Sequence, residues 1–400
     1  MSIRVVELFA GVGGFRIGFE NVSKDFETIW ANQWEPGKKS QYAYDCYVKN
    51  FGNKNNCTNV DIAIAKKDIP EHDLLCGGFP CQDYSVAATN AKGIEGKKGV
   101  LWWEIRDIVE AKSPKIIFLE NVDRLLKSPT SKRGRDFGII LRCLNDLNYA
   151  VEWRVVNAAD YGFPQKRRRT LIIAYRKDCD FYNKIKNNKS IDNIMNYGIL
   201  SQAFDTKVFD CYKEISIEQS NYKDLVDISD NFVFNFENAG FMDNGLISTC
   251  KVIPQFNGHI KTLREILDTK VDDRYFIRGE ILDKWKYLKG AKRILRTKPN
   301  GETYYFTEGA IPFPDNLDIP ARTMLTSESS VNRSSHIIID PIKNEYRLLT
   351  PEECEKINGF PVGWTKDNMP HNFRYFVMGN ALVVGLIEKV ARIIIREFDK

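Results

Sequence analysis

Several features are scarce or missing in this 400-residue chain, and each omission excludes something. No stretch of apolar residues is long enough to span a bilayer, and none near Met1 precedes small, cleavable residues, so neither a membrane anchor nor an export signal is expected. The nine cysteines are odd in number and lack paired spacing, which argues against a disulfide framework and fits reduced thiols in a cytosolic protein. Cys76 and Cys81 have no second close pair, so no zinc or other metal site is expected. There are four histidines, and only His72 is close in sequence to Cys81, at the wrong end of the intervening strand. A cysteine hydrolase needs a histidine base, so that chemistry is disfavoured. The dinucleotide fingerprint is also incomplete, because Arg16 stands where its third glycine would fall. A nicotinamide dehydrogenase is therefore a poor fit.

What is present is a folded chain, 43% apolar, long enough for two domains or one large domain with an insert. Its net charge of +5 hides basic clusters at Lys132/Arg133/Arg135, Lys166 to Arg169 and Lys284 to Lys298, which suit a polyanion. Arg4 to Phe9 reads as a strand, Ala10 to Phe15 as a glycine turn and Arg16 to Glu20 as a helix. Further strands are predicted at Thr28 to Asn32, just before Asp61, at Asp73 to Cys76, Lys115 to Leu119, Ala150 to Val156 and Thr170 to Tyr175. Helices between them imply an α/β fold with a mostly parallel sheet covered on both faces. Ligands bind beyond the carboxyl ends of such strands. The glycine loop, Trp34, Asp61, Cys81 and Glu120 all fall there.

Gly78-Phe79-Pro80-Cys81-Gln82 displays a cysteine behind a proline, and Gly77 and Gly78 are expected to turn the chain just past the strand. A thiol placed in a loop is a candidate nucleophile, whereas Cys76 reads as a buried residue. In Gln165-Lys166-Arg167-Arg168-Arg169, an extended backbone puts Gln165, Arg167 and Arg169 on one face and Lys166 and Arg168 on the other. From about residue 182 to 244 the pattern turns polar and weakens, which reads as a boundary and an insert. Basic and aromatic residues interleave from Lys284 to Lys298, a composition suited to nucleic acid. Thr350 and Glu353 form a capping-box pattern, and Gly379-Asn380-Ala381 leads into a terminal helix expected to pack on the first domain.

Taken together, these stretches resemble the DNA (cytosine-5) methyltransferases of bacterial restriction-modification systems. The residues that carry the resemblance are Glu7 to Phe15, Gly78 to Gln82, Glu120-Asn121-Val122, Asp160 to Arg169, Arg347 to Pro361 and Gly379-Asn380-Ala381. The resemblance implies a Rossmann-like S-adenosylmethionine-dependent methyltransferase sheet with a second, smaller target-recognition domain. The implied division is a catalytic and cofactor domain over 1–190 completed by 372–400, target recognition over 191–345, and a hinge over 346–371. It implies S-adenosylmethionine lying over Gly11, Gly13 and Gly14, with Phe9, Trp34 and Phe79 around the adenine. Asp61 and Ile62 would meet the adenine edge, and Asn380 and Ala381 the methionine side. The family usually sets a Glu on the ribose hydroxyls where this chain has Gln33, with Glu35 two places on, and either residue could take that contact.

By the same resemblance Cys81 adds to the cytosine ring, Glu120 holds the ring nitrogen and amine, and Arg167 and Arg169 support base and carboxylate. The segment from Gln82 to Gly99 would close behind a flipped base. The implied partner is double-stranded DNA, with a cognate restriction endonuclease on the same site, and a cytoplasmic, membrane-free monomer is expected. A tRNA methyltransferase of the same family and a catalytically silent DNA-binding regulator are the rival readings. The regulator would be expected to have lost Cys81, Glu120 or the arginine pair, and it has lost none.

Overall fold

The computed structural model describes residues 2–52, 57–79, 101–367 and 369–398. Cys81 and the expected closing segment from Gln82 to Gly99 lie outside the described residues. Seven strands occupy the first half of the chain: β1 (Ile3–Leu8), β2 (Phe26–Asn32), β3 (Cys57–Thr58), β4 (Leu74–Gly78), β5 (Ile116–Val122), β6 (Tyr149–Asn157) and β7 (Arg168–Arg176). They join β8 (Thr206–Ser216), β9 (Ala239–Asp243) and β10 (Leu246–Pro254) in a ten-stranded sheet of order β3-β2-β1-β4-β5-β7-β6-β9-β10-β8. The strands β3, β2, β1, β4 and β5 are mutually parallel; β7 runs against β5, and every later pairing is antiparallel.

Alternation along the central strands gives the sheet two apolar faces. Val6, Leu8, Leu75, Ile117 and Leu119 pack with the helices Leu101–Lys112 and Arg135–Asp146. Val5, Leu74, Cys76, Ile116 and Phe118 pack on the other side with Phe15 and Phe19 of the helix Gly14–Glu20 and with Leu386, Ile387 and Val390 of the C-terminal helix Val384–Phe398. The last two helices are in such close contact that a Cβ on Gly18 would lie 2.6 Å from Cβ of Ile387. Among the described residues no helix is long and apolar enough to cross a membrane.

The polar stretch read as the start of an insert is where structure and expectation differ. Residues 206–254 do not leave the sheet after 190 but extend it by three strands. Their composition misled because β8 is an edge strand with irregular pairing to β10, and an edge strand exposes polar side chains. The chain leaves the sheet only after Pro254. From there to about residue 370 it builds a smaller lobe around Leu263, Met324, Leu349, Ile357 and Phe360, with a satellite cluster of Ile277, Trp285 and Ile337. Two short sheets belong to this lobe: β11 (Lys292–Thr297) with β12 (Thr303–Glu308), and β13 (Ile337–Ile339) with β14 (Tyr346–Leu348). The helix Pro351–Asn358 has the expected capping box, and the buried Arg347 makes a two-pronged pair with Glu353 at 2.8 Å and reaches Asp340 at 2.7 Å.

A second difference concerns the pair of glycines. Gly77 and Gly78 do not turn the chain; they are the last two residues of β4, paired with Leu119 and Glu120. What their missing side chains permit is close approach, since a Cβ on Gly77 would lie 2.5 Å from the Leu8 carbonyl and one on Gly78 3.0 Å from Glu120 Oε2.

Candidate active site

The strand order reverses between β1 and β4: β2 and β3 lie to one side of β1, and β4 and β5 to the other. The loops beyond such a point diverge and leave a crevice. Here the loop after β1 is strained and tied down. Phe9 has φ 54°, Gly11 56° and Gly13 89°, a region that L side chains rarely adopt. The Gly11 N–H donates to Gln33 Oε1 at 2.7 Å, the Ala10 N–H to the Asn32 carbonyl at 2.9 Å, and Trp364 Nε1 to the Val12 carbonyl at 2.8 Å. Beneath the loop Glu7 is fully buried and accepts from the Tyr47 hydroxyl at 3.0 Å, and burial raises its carboxyl to about 7.

A cavity of about 490 Å³ opens at this edge. It is lined by Phe9, Gly11, Gly14, Trp34, Phe79, Glu120, Arg167, Arg169, Asn380 and Ala381, all candidate site residues drawn from distant parts of the chain. Gly13 is not in the lining; a Cβ there would strike the Phe51 ring at 2.3 Å, so this glycine serves packing. Asp61 and Ile62 also lie outside it: Asp61 caps a short helix by accepting from the Ala63 N–H at 3.0 Å, and Ile62 is buried in the core.

The basic run alternates as an extended strand requires, with Gln165 and Arg167 buried, Arg169 half-buried, and Lys166 and Arg168 exposed. Because β7 runs antiparallel to β5, its amino end arrives at the edge where β5 has its carboxyl end. Glu120 pairs with Leu171 and Val122 with Arg169, so Glu120 and Arg169 are diagonal neighbours on one face. Their side chains meet, with Arg169 Nε 2.5 Å from Glu120 Oε1.

Arg167 does something other than expected. It is 1% exposed, and its guanidinium donates to the backbone carbonyls of Met324 at 3.2 Å, Gly379 at 3.0 Å and Asn380 at 3.3 Å. Burial pulls its pKa down to about 9, which leaves it charged at neutral pH. It therefore bolts the start of β7 to the smaller lobe and to the helix His371–Asn380, while still contributing to the cavity wall. Gln165 works in parallel, donating to Asn358 Oδ1 at 2.9 Å and accepting from the Met324 N–H at 3.3 Å.

One role has no counterpart in the expectations from sequence, and one choice left open there is narrowed by the structure. Asn121, buried beside Glu120, donates to the Phe79 carbonyl at 2.8 Å and fixes the backbone two residues ahead of Cys81; its signal was an amide inside an apolar strand. In the first turn after β2, Gln33 is spent on the glycine loop, whereas Glu35 lines the cavity with its Oε2 buried and without a hydrogen-bond partner. Burial raises the Glu35 pKa. The basic-aromatic segment also divides: Trp285 and Lys289 are each 1% exposed, with Lys289 Nζ donating to the Ser335 carbonyl at 2.5 Å, so neither is free to meet nucleic acid.

This fold, with a carboxylate-arginine pair beside a glycine-loop cavity, defines a methyltransferase-like α/β enzyme. The family model of C-5 cytosine-specific DNA methylases matches residues 3–396. The chain is 49% identical over 396 residues to the type II methyltransferase M.Sau3AI of Staphylococcus aureus, covering 97% of this chain and 94% of that protein. It is 38% identical over 183 residues to the type II methyltransferase M.HhaI of Haemophilus parahaemolyticus, covering 46% of this chain and 52% of that one. Among solved structures it is similar in fold to an S. pombe Dnmt2 methyltransferase, with a TM-score of 0.61, 15% identity and full coverage (100%) of both chains. The protein belongs to the C-5 cytosine-specific DNA methylase family and is a DNA cytosine-C5 methyltransferase.

Proposed function

We propose that this enzyme transfers a methyl group from S-adenosylmethionine to carbon 5 of a flipped-out cytosine in a specific double-stranded DNA sequence, through a covalent adduct of Cys81. The observation that carries the reading is the Glu120–Arg169 pair in one cavity with the glycine loop and Phe79, two residues before Cys81.

The cavity fits the cofactor. Gly11 has nothing within 4 Å of where a Cβ would stand, leaving room for a ligand over the loop, and Phe9, Trp34 and Phe79 offer ring faces for an adenine. The partnerless buried oxygen of Glu35 suits a pair of ribose hydroxyls, while Gln33 already accepts from Gly11. We therefore assign the ribose to Glu35. Gly14, Asn380 and Ala381 complete the wall. When bound, S-adenosylmethionine supplies an electrophilic methyl group on a sulfonium sulfur.

Carbon 5 of cytosine is too weak a nucleophile to accept that methyl unless something first adds at carbon 6. The Cys81 thiolate forms the bond to carbon 6. Glu120 meets ring nitrogen 3 and the exocyclic amine, stabilising the charge that addition places on the ring, and Arg169 holds the carboxylate in position. Once carbon 5 is methylated, loss of its proton and elimination of the Cys81 thiolate restore the aromatic ring. The base must leave the stack first, at a cost of about a few kcal/mol.

Segment 256–345, in the smaller lobe, is the proposed reader of the DNA word, with 346–371 as the hinge; 206–254 serves the sheet. The kinship to type II methyltransferases supports a cytoplasmic monomer whose cognate endonuclease cuts the same unmethylated word.

The test is DNA with 5-fluorocytosine at the target, found beforehand by bisulfite sequencing. Fluorine cannot leave as a proton does, so with S-adenosylmethionine the wild type should form a denaturant-stable complex mapping to Cys81, and Cys81→Ser should not. An adduct through Cys76, or full activity in Cys81→Ser, overturns the mechanism.

A further inference from the structure

The strands β11 and β12 form a ribbon of their own, with no third strand on either side among the described residues. None of its twelve strand residues is buried, and most are exposed on both faces. An isolated two-stranded ribbon is marginal in water, so one that shows apolar side chains on both faces is built for contact. Leu295 is 57% exposed and Tyr305 56% on one face, and Ile294 36% and Tyr304 40% on the other.

Charge distinguishes this ribbon from an ordinary sticky surface. Residues 292–308 contain four basic and two acidic residues, and the acidic ones are already engaged: Glu302 with Lys298 at 2.7 Å, Glu308 with Lys292 at 3.7 Å and Arg333 at 3.4 Å. Two cations are left over, one on each face. Arg293 lies opposite Thr307 and rests on the diagonal Tyr305 ring at 4.1 Å; Arg296 lies opposite Tyr304 and rests on Phe306 at 3.8 Å. Among the described residues neither guanidinium has a hydrogen-bond or ion-pair partner. A stacked arginine is held planar with its N–H fork free, which is the geometry that reads the N7 and O6 acceptors of guanine. Lysine would not be held that way.

The ribbon also has a suitable size and place. Six residues per strand span about 20 Å, and a B-DNA major groove, roughly 12 Å wide, admits a two-stranded ribbon. Its foot is stitched by Arg333 to Glu308 and the Gly309 carbonyl. Arg333 ends the loop whose start, Met324-Leu325, is held by Arg167 and packed against Gly379 at the catalytic cavity. The lobe thus carries the ribbon on a scaffold fixed to the site where the base must arrive.

We propose that the β11–β12 ribbon enters the DNA major groove and that Arg293 and Arg296 read base edges in the recognised word. This rests on the DNA reading proposed above. The two are tested separately by first mapping the methylated word of the wild type: no methylation anywhere refutes the enzyme assignment, whereas the ribbon is judged only on a mapped word.

Arg293→Ala, Arg296→Ala and the conservative Arg293→Lys and Arg296→Lys are then compared on the mapped word, on words with one base changed, and over a salt series. Because both side chains are exposed, thermal melting should not change. Losing a bidentate contact is expected to slow methylation of the true word about 5- to 150-fold, to spare words changed at that position, and to be poorly rescued by lysine. Uniform weakening on every DNA, with rescue by lysine and a salt slope smaller by about one, would make the arginines phosphate contacts and overturn the proposal. Unchanged rates and word preference would overturn it as well and leave the ribbon to a protein partner or a second copy.

Discussion

Replacing Arg167 tests whether a residue expected to support the base is instead a bolt between parts of the structure. The guanidinium donates to three carbonyls, each at 3.0–3.3 Å, from Met324, Gly379 and Asn380. Hydrogen bonds from a charged donor contribute about 1.5–3 kcal/mol each, roughly 4–9 kcal/mol in all before any relaxation. Against this stands the cost of keeping a charge where it has no carboxylate in contact. Burial brings the pKa to about 9, so the charge is kept against that cost by the carbonyls around it. Arg167→Met would leave those buried carbonyls without their donor and should lose at least about 1–3 kcal/mol of stability, read as the shift of the urea midpoint at constant slope. Methylation should slow as well, because Asn380 and Leu325 lose their anchor. The control is Arg169→Met: its side chain is more open and pairs with Glu120, so it should leave stability within about 1 kcal/mol while kcat falls about 100-fold or more. Unchanged urea unfolding in Arg167→Met with a large fall in kcat would refute the bolt and return Arg167 to direct contact with the base.

Glu35→Gln should weaken S-adenosylmethionine binding by about tenfold in calorimetry, since a carboxylate accepting from two hydroxyls is replaced by a group that also donates; Gln33→Leu should act mainly by loosening the Gly11 loop, and a normal affinity in Glu35→Gln would undo the ribose assignment. Burial raises both Glu7 and Glu152 to about 7. A carboxyl whose folded pKa exceeds its unfolded value binds its proton first in the native state, so stability is lost as pH rises from about 4.5 to 7 and is level above. Glu7→Gln should remove its share, up to about 1.4 kcal/mol per pH unit, stabilising the protein at pH 8 but not at pH 4.5; an unaltered slope across urea titrations at pH 5, 6, 7 and 8 would show that Glu7 does not titrate there.

The chain's local chemistry was legible because it is written in short, adjacent patterns. The glycine loop, the strand leading to Phe79, the apolar strand carrying Glu120 and the alternating Gln165 to Arg169 run each declare a backbone state through glycine content, β-branching or period-two polarity. The capping box at Thr350 is local in the same way and appears as read, whereas strand ends depend on the neighbouring strand: β4 runs on through Gly78 and β5 through Glu120 to Val122, past the ends expected at Cys76 and Leu119. Long-range geometry is what only the tertiary structure decided. The antiparallel entry of β7 brought Arg169 to Glu120, and nothing within residues 160–176 specifies that direction. Composition records contact with water and not sheet membership, so the edge strand β8 looked like an insert. The same limit hid the division of labour between Arg167 and Arg169, and between Gln33 and Glu35. Each pair lies two residues apart with similar chemistry, and only the carbonyls, amides or carboxylate that folding places opposite decide which side chain is spent on the scaffold and which faces the cavity.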